Sequence, residues 1–571
     1  MDMHDSGRAS GMKCYELIIN RAVLSLLLLY FGFMFSRTGD LDEMIQHFRK
    51  YLSPASAEAD AHRVKDDYPL KNLDLALDPE VHQLLDMLKN ASREAPPSVS
   101  DYQHIHPNSK GYTRLDRALW DSENSCKSRV ELPERYERRK HVENIEAPMG
   151  FKILMEQYEK LHRNCIRGSG NLTSLFFRHQ SGDDDDGNGC KFLVAEAGNG
   201  LGNRVLWMVS TLLYAVLAGR VILIDPRSLI PSLMCEPFSG SSWVAPSEFP
   251  FADLRPDLWV SPDEFVAGID AAAAKNGSNI TLPSFKAVRG DDSWGPTSRF
   301  YCPMEQHLYS RVKWVTLGGC LYFLPELFAI PTFKLALEAT FKNRVPLTHL
   351  LRSAMLPRDS VWNKVKDVLD GPFTQADELI GVHVRYRGGY VQYQNLNAHV
   401  NHKVHQCLLA GGLLRPGHHP LTFTNSSTLI FISSLYPGLH DELVKLYPRG
   451  NEDRVNILQL SSEGEQYSGL QIDEGALVEI LSLSLCDAVL ISPMSTYSTL
   501  AHAYGGMTPW IINFQDDQGP CTRAQALDGC YQGAGVFYVC PLDPAVDKQP
   551  IMKLVPSLKP CQDSSGVQLV H

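Results

Sequence analysis

The chain has 571 residues, with 54 Lys+Arg against 65 Asp+Glu and a formal charge of -11. Hydrophobic residues make up 44% and charged ones 21%, a globular balance that excludes wholesale disorder. The acidic balance, with no Lys/Arg stripe to meet a phosphate backbone, excludes a nucleic-acid binder, and the absence of repeats excludes collagen-like and coiled-coil classes.

Only one segment is strongly apolar, residues 22–35, which also excludes a multi-span membrane protein. A bilayer span needs about 20 apolar residues, and this run reaches that length only when extended back to Leu17 with Arg21 snorkelling outward. It reads as a signal anchor over 17–36, with residues 1–16 cytosolic and the remainder lumenal. Phe33-Met34-Phe35-Ser36-Arg37 offers no small-x-small cleavage site, although a cleaved signal peptide stays open. Asn-x-Ser/Thr acceptors at Asn90, Asn171, Asn276, Asn279 and Asn425 suit glycosylation in a lumen. The twelve cysteines beyond the apolar run suit an oxidising compartment. Spacing does not give their pairing, but Cys521, Cys530 and Cys540 crowd into what reads as a stapled C-terminal cap.

Residues 37–145 are charge-rich and broken by Ala95-Pro96-Pro97-Ser98, which reads as a stem. The run Asp183-Asp184-Asp185-Asp186 lies between glycines and reads as a solvated loop, with a metal site as its alternative. From there the pattern is α/β. A strand at 192–195 leads through Gly198-Asn199-Gly200-Leu201-Gly202 into a helix over 203–217, stopped by Gly219 and followed by a strand at 221–224. A second series has strands at 379–384, 429–432, 455–460, 488–491 and 510–513, with helices at 439–446 and 475–485. Alternating strands and helices imply parallel sheets. The fold class is therefore α/β, with two Rossmann-like lobes facing a cleft: residues 146–372, residues 373–545, and a tail over 546–571.

Three places carry candidate chemistry. The first glycine loop misses the dinucleotide spacing, because Asn203 stands where the third glycine belongs, so an NAD-type oxidoreductase is a weak rival. The alternatives are a tight turn, or a cleft wall in which Asn203 and Arg204 meet an anionic or hydroxyl-rich ligand at a helix N-terminus. The second place is His383-Val384-Arg385 at the carboxyl end of a strand, the edge where α/β sheets bind ligands; Arg385 is a forked donor suited to phosphate. The third is Ser492-Pro-Met-Ser-Thr-Tyr-Ser498, a strand-to-helix turn that suits either a phosphate cradle or an ordinary helix cap. No G-x-S-x-G elbow and no HExxH spacing is present.

The run Gly200-Leu-Gly-Asn-Arg-Val-Leu206, with Arg220-Val-Ile-Leu-Ile-Asp225, Cys235-Glu-Pro-Phe238 and Ile380-Gly-Val-His-Val-Arg385, resembles the plant cell-wall α-1,2-fucosyltransferases of xyloglucan and arabinogalactan. Ser482-Leu-Ser-Leu485, Ser495-Thr-Tyr497 and Gly505-Gly-Met-Thr-Pro-Trp510 continue the series in order, over residues 148–545. The resemblance implies a type II Golgi membrane protein of glycosyltransferase-B-like fold that inverts, takes GDP-fucose as donor, and needs no metal or other cofactor. It implies Arg385 and His383 as catalytic, and Arg385, Ser495, Thr496 and Tyr497 on the donor side. It places Gly200, Asn203, Arg204 and Cys320 on the acceptor side of the cleft. The partners it implies are GDP-fucose, a cell-wall glycan and the Golgi membrane, with self-association into a homodimer left open. Two departures stand out. His383 replaces the family's usual Gln, and Cys320 occupies the position of an Asp tied to acceptor handling. Asp291, Asp292 or Glu305 is a candidate substitute carboxylate, and a catalytically degenerate binding protein of the same fold is the alternative.

Overall fold

Continuous apolar runs make strands buried on both faces, and the computed structural model arranges them as two mainly parallel sheets. It describes residues 126–570, apart from 140–141, 143–144, 182–189, 239, 261–263, 266–283, 289–299, 343, 386–395, 415–426, 435–437, 449–453, 461–468, 515–518, 533–539, 541–546 and 548. These all belong to one compact unit, Glu80–His571. The anchor, the Asp183–Asp186 loop, Asn90, Asn276, Asn279, Asn425, Asp291 and Asp292 lie outside the described residues. Among those described, no helix is long and apolar enough to cross a membrane.

In chain order, the first lobe contains α1 (Ser128–Glu137), α2 (Met149–Ser169), α3 (Leu172–Gln180), β1 (Phe192–Ala197), α4 (Leu201–Leu217) and β2 (Val221–Ile224). It continues with β3 (Ser284–Val288), α5 (Pro303–Ser310), β4 (Trp314–Gly319), α6 (Pro346–Ala354) and α7 (Asp359–Asp370). The strands run parallel in the order β2-β1-β4-β3. One face packs on the almost wholly buried α4, and the other on a cluster of Phe176, Phe192, Phe249, Trp259 and Trp314. Gly219 closes α4 with a φ of 60°, a conformation that costs glycine no Cβ clash.

The second lobe contains β5 (Glu378–Val384), α8 (Leu396–Ala410), β6 (Thr428–Ser434), α9 (Leu439–Leu446), β7 (Val455–Gln459) and α10 (Leu470–Ser484). After these come β8 (Ala488–Ile491), α11 (Thr496–Gly505), β9 (Trp510–Ile512) and β10 (Cys521–Arg523). The order is β10-β9-β8-β5-β6-β7, and only β10 runs antiparallel. A hairpin of β11 (Leu558–Pro560) and β12 (Val567–Leu569) follows.

Two expectations about organisation change, and the cysteine pairing is added to them. Helix α1 falls in the expected stem, yet it is part of the body: Cys126 is bonded to Cys235, and Tyr136 Oη lies 2.6 Å from Ser484 Oγ at the end of α10. The last 26 residues are not a loose tail. Tyr531 N donates to Val567 O at 2.8 Å, a Cys530–Cys561 disulfide holds the hairpin, and Lys334 Nζ reaches Leu554 O at 3.0 Å. The pairing that spacing left open is given by the structure: Cys530 staples the C-terminal segment through Cys561. Cys521 pairs with Cys407 on α8, and Cys540 pairs with Cys302 beside α5, so the cysteines that crowd in sequence tie together distant segments.

Burial sets the pH response. His162, His349, His383 and His502 are buried, and lost solvation pushes them down to about 4, 3, 3 and 3. Burial also pushes Glu196 up to about 6 and Asp528 up to about 7. Below pH 6.5 the unfolded chain takes up protons on histidines that the folded chain refuses, so stability falls with acidification. The two carboxylates oppose this, because the folded chain holds their protons over that range and the unfolded chain does not. The four histidines outnumber the two carboxylates, so a net uptake of protons on unfolding remains and stability falls between pH 6 and 5. Denaturant titration at both pH values should find the protein less stable at pH 5; greater stability there would contradict these assignments.

Candidate active site

Strand β5 lies between β6 and β8, which puts its carboxyl end at the centre of the second sheet's edge. Its Ile380, Val382 and Val384 enter the core on one face. On the other face Gly381 lets α10 approach, since a Cβ there would stand 2.8 Å from Leu483 Cδ2. His383 shares that face and stacks on Tyr497, with ring centroids 4.7 Å apart and planes 14° apart. Its Nδ1 is buried without a hydrogen-bond partner among the described residues. Burial and the Arg385 charge hold the ring neutral, at about 3. The ring is therefore uncharged at neutral pH and enclosed against Tyr497.

Arg385 is exposed just past the strand, and its backbone N donates to Ser492 Oγ at 2.7 Å. Ser492 N donates back to His383 O at 3.1 Å, so the ends of β5 and β8 are tied together beside α11. Ser495 caps α11 with extended backbone, and its buried Oγ makes no hydrogen bond to any described residue. A helix N-terminus with an unused hydroxyl, close in the fold to an exposed arginine residue, has the features that suit an anion.

Thr496 and Tyr497 face other ways. Thr496 Oγ1 donates to Asn203 Oδ1 at 3.1 Å. Tyr497 Oη lies 3.1 Å from Glu479 Oε2 and 3.2 Å from Ser433 Oγ, whose own proton goes to that carboxylate at 2.5 Å. The Tyr497 hydroxyl is thus used inside the protein, which leaves its ring as a support for His383.

On the first lobe, Gly200 caps α4 with open space around it. Asn203 Nδ2 donates to Cys320 O at 2.8 Å, so Asn203 links the end of β4 to the first turn of α11. Cys320 itself is 3% exposed and contributes through its carbonyl. Arg204 corrects the expectation of a ligand-facing cation. It is buried, with Nη2 2.7 Å from Asp473 Oδ2 on α10 and Nη1 on Ser228 O. Charge in that place pins lobe to lobe and does not bind an anion. Asp473 was invisible in the sequence, because α10 begins five residues before the periodicity suggests. Glu305 is buried in the first turn of α5, and Asn171 is exposed with its side-chain oxygen capping α3, 2.8 Å from Ser174 N.

Gly202 lets α4 pack tightly against the start of α11. A Cβ there would lie 2.7 Å from Thr496 Oγ1, 2.9 Å from Thr496 C and 3.0 Å from Tyr497 N. Because two of these are backbone atoms, Gly202→Ala must spread α4 from α11. The expected result is a loss of about 1–3 kcal/mol of stability, the usual range for overpacking. Denaturant unfolding of the variant against the parent checks it.

Comparison with known proteins agrees with this architecture. The family model described as xyloglucan fucosyltransferase matches residues 106–541. A galactoside 2-alpha-L-fucosyltransferase of Arabidopsis thaliana is 30% identical over 441 residues, covering 73% of this chain and 76% of that protein. A probable fucosyltransferase 7 of the same plant is 30% identical over 445 residues, covering 73% of this chain and 82% of the relative. The solved structure of an Arabidopsis thaliana FUT1 mutant in complex with GDP superposes with a TM-score of 0.64 at 28% identity, covering 78% of this chain and 96% of that one. The chain belongs to the xyloglucan fucosyltransferase family.

Proposed function

We propose that the protein transfers L-fucose from GDP-fucose in α-1,2 linkage to a terminal sugar of a cell-wall glycan, with inversion at the sugar carbon. The observation that carries this reading is the anion site: exposed Arg385 at the end of β5, next to the N-terminus of α11 with its unused Ser495 hydroxyl. Membership of the family and likeness to a structure that holds GDP support placing a nucleoside diphosphate there. The names of the relatives in pea and Arabidopsis support the linkage and a galactose end as acceptor.

As the bond from fucose to the diphosphate breaks, negative charge grows on the leaving GDP. Arg385 and the first-turn N–H groups of α11 stabilise it without reorganisation. Asn203, held between Cys320 O and Thr496 Oγ1, fixes the first lobe against the donor turn. Neutral His383, stacked on Tyr497, supports the strand end that presents Arg385. The apolar segment and the glycosylation acceptors support a lumenal, Golgi-anchored placement as part of the same reading.

Supplying the purified full chain with labelled GDP-fucose and galactose- or arabinose-ended wall glycans, without added metal, tests it. Transfer to one acceptor supports the reading and names the substrate. GDP binding without transfer favours the degenerate binding protein that Cys320 suggests, and no GDP binding overturns both.

A further inference from the structure

Glycosyl transfer to a hydroxyl must dispose of a proton, and most acidic groups among the described residues around the cleft are enclosed or already engaged. His383 is enclosed and neutral. Asp473 is committed to Arg204 and Glu479 to Ser433 and Tyr497, while Asp528 holds Tyr322 and Gly529 N on Oδ1 and keeps its unpartnered Oδ2 shut away from solvent. Glu305 and Glu326 are 2% and 3% exposed. Asp225 and Asp253 both pair with Arg227, at 2.6 and 2.9 Å.

Glu196 differs from all of these. It is the penultimate residue of β1, in register with Gly318 on β4, at the carboxyl edge of the first sheet, beyond which Asn203 and Arg204 at the start of α4 reach Thr496 and Asp473 of the second lobe. Its Oε1 is held by Ala252 N at 2.9 Å and Thr316 Oγ1 at 3.1 Å, while Oε2 accepts no hydrogen bond from any described residue. The side chain is half-buried, so one oxygen is fixed and the other is open. The charged groups facing it are Asp225, Asp253 and their partner Arg227. Burial first, then those two carboxylates, raise its proton affinity to about 6, close to what a base working near neutrality needs.

We propose that Glu196 is the general base of the transfer. Its Oε2 takes the acceptor's hydroxyl proton as that oxygen bonds to fucose C1, while the bond from C1 to the GDP oxygen breaks and its electron pair leaves on the diphosphate. The assignment rests on the fucosyl-transfer reading above.

The test compares the full chain with its Glu196→Gln variant, measuring transfer rate against pH and GDP affinity by calorimetry. Glu196→Gln should keep GDP affinity and lose 10²–10⁴-fold in kcat, the usual worth of a general base, together with the acidic limb of the parent's pH profile. Should that variant fail to bind GDP, Thr316→Val provides the second test. It leaves the carboxylate but removes a hydrogen bond that favours its ionised form, so the midpoint of the acidic limb should move upward from about 6. A Glu196→Gln variant that transfers within twofold of an active parent overturns the assignment alone, as does an unmoved midpoint in Thr316→Val. A parent that binds GDP and transfers nothing overturns the fucosyl-transfer reading, and this assignment with it.

Discussion

Arg385→Ala should lower kcat/KM by about 10²–10³, that is 2.7–4 kcal/mol, while the protein stays folded. The size follows from the role proposed above for Arg385, a charged donor to the leaving diphosphate. The fold should survive because Arg385 is exposed, and its structural hydrogen bond to Ser492 Oγ comes from the backbone, which alanine keeps. Arg385→Lys retains the charge and loses the planar fork, so an intermediate loss of at least tenfold is expected. Steady-state kinetics, with unfolding midpoints as the control, decides. A folded Arg385→Lys enzyme with unchanged kinetics would remove Arg385 from the donor site.

The second large effect concerns stability. Arg204 and Asp473, 269 residues apart in the chain, form a pair whose side chains are each 5% exposed. Asp473→Ala leaves a guanidinium buried with the Ser228 carbonyl as its remaining hydrogen-bond partner among the described residues, its Nε already lacking one. An uncompensated buried charge of this kind costs about 3–5 kcal/mol. Replacing both residues, Arg204→Met with Asp473→Leu, removes the charge together with its penalty, and should return stability to the parent level or above. Denaturant unfolding of the single and double variants measures this. A single variant that loses less than 1 kcal/mol would mean that water reaches the pair and solvates it.

Much of the architecture is local and was therefore readable. The strands from 192, 221, 379, 429, 455, 488 and 510 are apolar runs of the length a parallel strand needs, and all stand within two residues of where the pattern puts them at the start. Helix α9 coincides with its expected range, and α4 begins two residues early because Gly200, not Gly202, is its cap. What escaped had weaker local signals. Strand β4 reads Trp-Val-Thr-Leu and then two glycines, and the C-terminal hairpin is three residues a side.

By itself the sequence determined the alternation of strands and helices, and brought Arg385, Ser495 and Asn203 to sheet edges and helix starts, because periodicity and glycine turns act over a few residues. Only the tertiary structure decided what those side chains do. Arg204 became an inter-lobe ion pair when Asp473 arrived on α10, and the Tyr497 hydroxyl turned inward once Glu479 and Ser433 stood beside it. Glu196 acquired its fixed and open oxygens from Ala252 and Thr316, which are 56 and 120 residues away. Burial and electrostatic environment are sums over neighbours drawn from distant parts of the chain, and packing alone selects those neighbours.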